Sequence, residues 1–447
     1  MSQRTGFGSS SIQIEQSDAA IGRSALHKAS LRLIPLMALG YGAAYIDRVN
    51  ISFAALQMNR DLHLSSAAYG LGAGLFFLSY AAFEVPSNLL LYRIGARRWL
   101  SRIMLTWGVI AMAMLFVKTP MEFYGMRALL GAAEAGFFPG VIFYLMQWFP
   151  PEMRARTITR FYISLPLSSV VMGGVAGALL NLQGFLGLAG WQWLFLVEGL
   201  PAIALAAAFF FLLPDGPAKA RWLTPRERDW IIGQVMRASE TASHRGESIW
   251  PALRDPRVGL LGAFMFCFSA SGYAFMLFGP AIIQETSHFD ATQIGYILAL
   301  SNLLGAAAML LNGMHSDRSG ERYWHVIVPC FLMAGSLVLC GTSSAPYVVV
   351  PGFAALILAN SAMQGPLWSL PATFLQGRPA ATGIAAINTI SIFGAFLGPY
   401  WMGVARDITG TFERGLLTMA IPMLIATAIM FYLRHLTLEV RQVPVEA

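Results

Sequence analysis

Twelve stretches, most of about twenty or more apolar residues, run through this 447-residue chain, and no other feature limits its fold as sharply. A helix needs about 20 apolar residues to cross the hydrocarbon core of a bilayer. The stretches fall at 31–57, 66–91, 99–117, 121–148, 158–181, 192–213, 258–284, 292–314, 324–341, 346–374, 381–404 and 413–435, numbered below as spans 1 to 12. Many contain Gly or Pro, which membrane helices tolerate because neighbouring helices re-satisfy the freed backbone groups. Only 12% of residues are charged, about half the usual soluble share and too few to cover a soluble surface of this size. With a mean hydropathy of +0.58, a disordered chain and an ordinary soluble enzyme are both excluded. The expected fold is an all-α membrane protein of twelve transmembrane helices.

The cations give the topology. Of 30 Lys and Arg, 24 fall in the termini and loops of one side; Arg60, Lys118, Arg406 and Arg414 fall on the other, and Arg48 and Arg127 lie within spans. By the positive-inside rule both termini and the central loop are cytoplasmic, in a plasma membrane such as a bacterial inner membrane. The net charge of +7 is thereby explained by topology, and no nucleic-acid partner is expected. The polar start, residues 1–30, runs straight into a long apolar stretch and reads as a cytoplasmic tail, not a cleavable signal. A six-helix bundle over 31–213, a cytoplasmic loop over 214–256, a second bundle over 257–436 and a tail over 437–447 complete the division. The loop opens on the breaker Pro214-Asp-Gly-Pro217, and Thr224-Pro-Arg-Glu227 reads as a capping box starting a short interfacial helix with Trp230, Ile231 and Val235. The loop after span 2 carries Arg93-Ile-Gly95-Ala-Arg97, and the loop after span 8 carries Arg318-Ser-Gly320-Glu-Arg322. Related six-span halves are the expected mark of a transporter, with the two bundles forming one pseudo-repeat.

Gly313-Met-His-Ser-Asp317-Arg318-Ser-Gly320-Glu-Arg322 fits the loop pattern of the major facilitator superfamily, and the chain resembles its anion:cation symporter branch, the phthalate, tartrate, hexuronate and galactonate permeases. The motifs are Tyr45-Ile-Asp47-Arg48-Val-Asn50 in span 1, Phe83-Glu84-Val-Pro86-Ser-Asn88 in span 2, Arg127 to Glu134-Ala-Gly-Phe-Phe-Pro139-Gly140 in span 4, Gly190-Trp191-Gln-Trp193 to Glu198-Gly199 in span 6, and Gly383-Ile384 to Asn388 in span 11. The resemblance covers nearly the whole chain. It departs at Tyr92, where the family usually has an acid, and in span 7, Tyr273 to Pro280, where relatives often place a Trp.

Ionisable groups at membrane depth cost roughly 2.5–3.5 kcal/mol each on insertion scales and mark function by default. Six remain, all in the first half: Asp47, Arg48, Glu84, Arg127, Glu134 and Glu198. Tyr41, Tyr45 and Arg48 follow i, i+4, i+7 and share a face, so Arg48 can clamp a carboxylate with the Tyr hydroxyls beside it. Asp47, about 100° round the helix, shares its stripe with Asn50 and can take a proton. A static ion pair between helices is the plainer alternative. Arg127 and Glu134, seven residues apart, return to one face about 10 Å along the axis. The resemblance implies that Arg127 meets the substrate carboxylate or the gating network and that Glu134 couples the proton; interhelical salt bridging is the alternative. Glu84, close in sequence to Arg93 and Arg97, fits a gate-side ion pair, and Asp317 and Arg318 in the matching loop motif are expected to have a gating or structural role. Glu198 is open between a packing hydrogen bond and a polar pathway, with packing favoured. Asn388, a lone amide in an apolar span, is the substrate-contact candidate of the second half, joined by Gln364 and Trp368 in span 10 and Phe275 in span 7.

None of the three lysines follows a Gly, so there is no P-loop, and HExxH and GxSxG are absent. Cys267, Cys330 and Cys340 form no metal or disulfide pattern. The chain is therefore expected to be no enzyme and to use no metal or cofactor. The leading expectation is a monomeric secondary transporter, importing a small organic carboxylate with protons by alternating access and drawing on the proton gradient. Co-transported protons offset an anion's charge against a negative interior, worth about 2.3 kcal/mol per charge per 100 mV. A proton-antiport exporter and a non-transporting receptor are the alternatives.

Overall fold

The structure is a computed structural model that describes residues 7–162, 164–243, 254–371, 374 and 377–442, and these contain helices and turns without a strand. Twelve helices are long and apolar enough to cross a membrane: Asp18–Asp61, Ser66–Ile94, Ala96–Phe116, Pro120–Met146, Arg160–Leu180, Gly190–Leu212, Pro256–Ser287, Ala291–Ser319, Trp324–Thr342, Pro346–Ser369, Thr382–Thr409 and Glu413–Thr437. Each overlaps its predicted span.

Span 1 belongs to a helix that starts at Phe7, inside the expected tail. Its extension docks on the linker helix Pro225–Ser243. Ser24 Oγ and Lys28 Nζ donate to Glu227 Oε1 at 2.6 and 2.7 Å, Gly22 lies against Trp230, and Arg32 sits 4.9 Å over the Trp222 ring. The linker helix opens on the predicted capping box: Thr224 N–H donates to Glu227 Oε2 at 2.9 Å and Glu227 N–H to Thr224 Oγ1 at 3.3 Å. Burial pushes the Glu227 carboxyl up, but hydrogen bonds from Lys28, Ser24 and Thr224 outweigh it and hold the group at about 2. A folded value below the ordinary 4.5 means that the clamp stabilises fully above that pH and is lost as pH falls towards about 2. Glu227→Gln is expected to lower the Tm of the detergent-solubilised protein near neutral pH, with the difference from wild type fading through this acid window; a difference independent of pH would count against the clamp.

Spans 2 and 11, 5 and 8, and 1 and 7 carry the contact between the two bundles. At the end away from the linker the backbones touch. A Cβ on Gly70 would strike the Pro399 carbonyl, one on Gly403 the Ser66 carbonyl, and Gly173 and Gly295 face each other with no side chain between. Asp407 accepts from the Ser66 and Ala67 N–H groups at 2.9 and 2.8 Å, capping span 2 from the other bundle. The Tyr69 hydroxyl lies 3.2 and 3.0 Å from the Ile51 and Leu277 carbonyls, and Asn181 Nδ2 donates to Thr292 Oγ1 at 3.2 Å. Among the described residues, hydrogen bonds between bundles lie at mid-height or towards this end, so this end is sealed.

Candidate functional site

Span 4 is broken at Glu134, the expected proton-coupling residue. Its first helix, Pro120–Glu134, stops at Glu134, and a second, Phe137–Met146, resumes after Gly136. Gly136 has φ of +84°, which favours glycine, and a Cβ there would strike the Ser87 side chain. Broken helices at mid-membrane are where transporters place their sites. Glu134 Oε1 accepts from Arg48 Nη2 at 2.5 Å. The Arg48 side chain is 15% exposed and that of Glu134 1%, so the pair is reached from the arginine side.

A second layer holds Arg127 and Asp47, 1% and 2% exposed. The Phe76 ring serves both layers: the Arg127 and Arg48 guanidinium carbons lie 4.8 and 5.7 Å from its centroid, and Tyr80 lies 5.2 Å from Arg48. A ring face attracts a cation without neutralising it, leaving the guanidinium donors free for a carboxylate. Many such groups are indeed free. Arg48 Nε, Arg127 Nε and Nη1, Glu134 Oε2 and both Asp47 oxygens are buried without a hydrogen-bond partner. Each such group costs about 1–3 kcal/mol or more, a burden expected of a site arranged for a ligand and a proton.

Tyr41, predicted on the Arg48 face, stacks on Phe138 at 5.0 Å and packs edge-on to Phe161 and tilted on Tyr162 at 5.6 and 5.7 Å. The Tyr45 hydroxyl reaches Met276 Sδ of span 7 at 4.0 Å. Of the span 7 residues, Tyr273 joins this region, 4.4 Å from Phe77. Phe275 does not: it is buried against Phe353 of span 10. Tyr273 and Met276, three apart, share the face towards the first bundle, and Phe275 is turned away from it.

Gln364 and Trp368 bond to each other at 3.2 Å on a short helix after the break in span 10, and Asn388 is half-buried on span 11. The expected loop pairs are also made differently. Arg97 reaches Asp215 of the linker at 3.7 Å, and Glu84 has no ion pair with Arg93 or Arg97 among the described residues. Asp317 pairs with Arg322 at 2.5 Å, because left-handed Gly320 folds the chain back, while Arg318 is exposed. Phe76, Tyr80, Phe138, Tyr162 and the span 4 break were missed from sequence. Gly136 followed by Pro139 was the available signal for the break; the aromatics gave none, since rings in apolar spans usually pack.

Two six-helix bundles closed over buried charge define a secondary transporter. The chain belongs to the Major Facilitator Superfamily, whose profile matches residues 37–399. A protein of Agrobacterium vitis provisionally named as a tartrate transporter is 44% identical over 405 residues, 90% of this chain and 93% of that one. A quinolone resistance transporter of Acinetobacter baumannii is 38% identical over 418 residues, 93% and 96% of the two chains. Among solved structures, a bacterial homologue of the human lysosomal transporter Spinster, inward-facing and unoccupied, aligns with a TM-score of 0.76 at 17% identity, over 93% of this chain and 98% of that one. The chain is thus a multi-pass membrane transporter.

Proposed function

We propose that this transporter imports a small organic carboxylate together with protons across a bacterial inner membrane, as a monomer with both termini and the linker in the cytoplasm. The observation that carries the reading is the Arg48–Glu134 pair, half satisfied at a helix break. A proton arriving on Glu134 releases Arg48, whose freed donors take the substrate carboxylate in a fork. Arg127 stands in the layer behind with its own donors free, and Asp47 is a second proton acceptor. With the linker cytoplasmic, the sealed end faces outward and the structure is in the inward-facing state of alternating access. Loss of the proton to the cytoplasm lets Glu134 reclaim Arg48 and expels the anion. The A. vitis relative, named for tartrate, supports a carboxylate.

Export of a drug by proton antiport is the second reading, favoured by the A. baumannii relative. Proteoliposomes with an alkaline interior separate the two. We expect one acid from a panel of radiolabelled sugar acids, hydroxydicarboxylates and aromatic acids to accumulate only with the gradient. Gradient-driven movement of a quinolone with no acid moving would overturn the carboxylate reading.

A further inference from the structure

Three carboxyls lie buried in the first bundle, and among the described residues only Glu134 has an ion-pair partner within 4 Å. All four oxygens of Asp47 and Glu198 are shut from solvent; the Trp107 indole and the Arg127 guanidinium act on Asp47, and neither acts on Glu198. Spans 1 and 6 bring the two residues to one level. A Cβ on Gly190 would lie 2.6 Å from Gln57 Oε1, and one on Gly40 2.8 Å from the Phe209 ring. Counting inward along these antiparallel helices sets Glu198 opposite Asn50, one turn from Asp47, and Asp47 is the charged group that acts on Glu198. Asn50 is fully buried, and its amide has no partner either.

Among the described residues, no charge other than Asp47 is brought to Glu198. Span 3, packed along span 6, presents Trp107, Gly108 and Met112 here; its arginines 97, 98 and 102 lie in its first two turns. Ser164–Leu180 of span 5 carries no ionisable side chain. Span 1 contributes Asp47, with Arg48 turned to Glu134, and span 4 contributes Arg127, which acts on Asp47. Glu84 is only half-buried and lies outside these layers; the remaining three carboxylates against two guanidiniums leave one negative charge uncompensated where water is excluded. Two facing carboxylates do not both stay ionised in such a place, and an unpaired one is costly.

We propose that Glu198 holds one resident proton, which is not transported, and keeps the bundle neutral with Asp47 ionised towards Arg127. Glu198 is then a positioning residue. Given the symport reading above, each carboxylate on the substrate is matched by one transported proton, since the empty site is already neutral.

Infrared spectroscopy of the purified full-length protein without substrate tests this independently of transport. At mildly alkaline pH the wild type should show the stretch of one protonated carboxyl. The band should vanish in Glu198→Gln, shift in Glu198→Asp, persist in Glu134→Gln, and weaken in Asp47→Asn, which leaves Glu198 to balance Arg127. A wild type without the band overturns the proposal. So does a band that survives Glu198→Gln unchanged, which would put the proton on another carboxyl. In proteoliposomes, Glu198→Gln, whose neutral amide fills the same space, should retain gradient-driven accumulation within a few-fold. Its loss in a variant that still exchanges substrate would make the proton a transported one and overturn residency. If no carboxylate moves through the wild type at all, the symport reading fails while the infrared result still decides the resident proton.

Discussion

Glu134→Gln will abolish concentrative uptake and leave substrate exchange in place. The amide keeps the size of the carboxyl but cannot carry a proton, so a pH gradient has nothing to drive at this position. It also weakens the hold on Arg48. A hydrogen bond to a charged group is worth about 1.5–3 kcal/mol, so Arg48 becomes roughly 10- to 100-fold freer to take an anion. Accumulation under an inside-alkaline gradient should fall to the equilibrative level, while counterflow of labelled against unlabelled substrate stays within about tenfold of wild type. Arg48→Ala should behave differently. It strands a buried carboxylate, at about 3–5 kcal/mol, and removes the anion's fork, so uptake and counterflow should both disappear. Gradient-driven accumulation by Glu134→Gln would show that the coupling proton binds elsewhere.

The second large effect is expected at the sealed end. Asp407 takes two backbone N–H groups from the start of span 2, and no other part of span 2 is capped from the opposite bundle in this way. Removing a cap of this kind costs about 1–2 kcal/mol. Asp407→Ala should therefore shift the balance towards the state with this end open by roughly 5- to 30-fold. Gly403→Val should act in the same direction by sterics, since its side chain would drive into the Ser66 carbonyl. Spin labels on the 1–2 and 11–12 loops should report longer distances in both variants, and substrate turnover should fall with them. Unchanged distances in both would mean that these contacts do not hold the seal.

How much of this was readable in advance differs between levels. The spans were, because a bilayer imposes length and apolarity on each helix separately, and the capping box at Thr224 was, because capping is local. Pairings were not. The sequence set Arg48 on a face with Tyr41 and Tyr45, about 100° from Asp47, and named no partner for it; in the fold it bonds Glu134, 86 residues away. Arg97 was expected to serve Glu84 and instead meets Asp215, since the linker folds back beneath span 3. Span 7 shows the limit most plainly. It is apolar on all sides, so no stripe says which face meets the first bundle, and Phe275 looked as suitable as Tyr273 until the rotation of the helix was known.

Among the described residues the deep ionisable side chains all belong to the first six spans, and this has an electrical consequence. When the second bundle rocks, it drags no fixed charge through the membrane field, so voltage can do almost no work on that motion. On the proposed mechanism, any voltage sensitivity enters where protons and anions meet Asp47, Arg48, Arg127 and Glu134. One half of the protein would then be a nearly uncharged moving wall, and the other the electrode against which the proposed ions are exchanged.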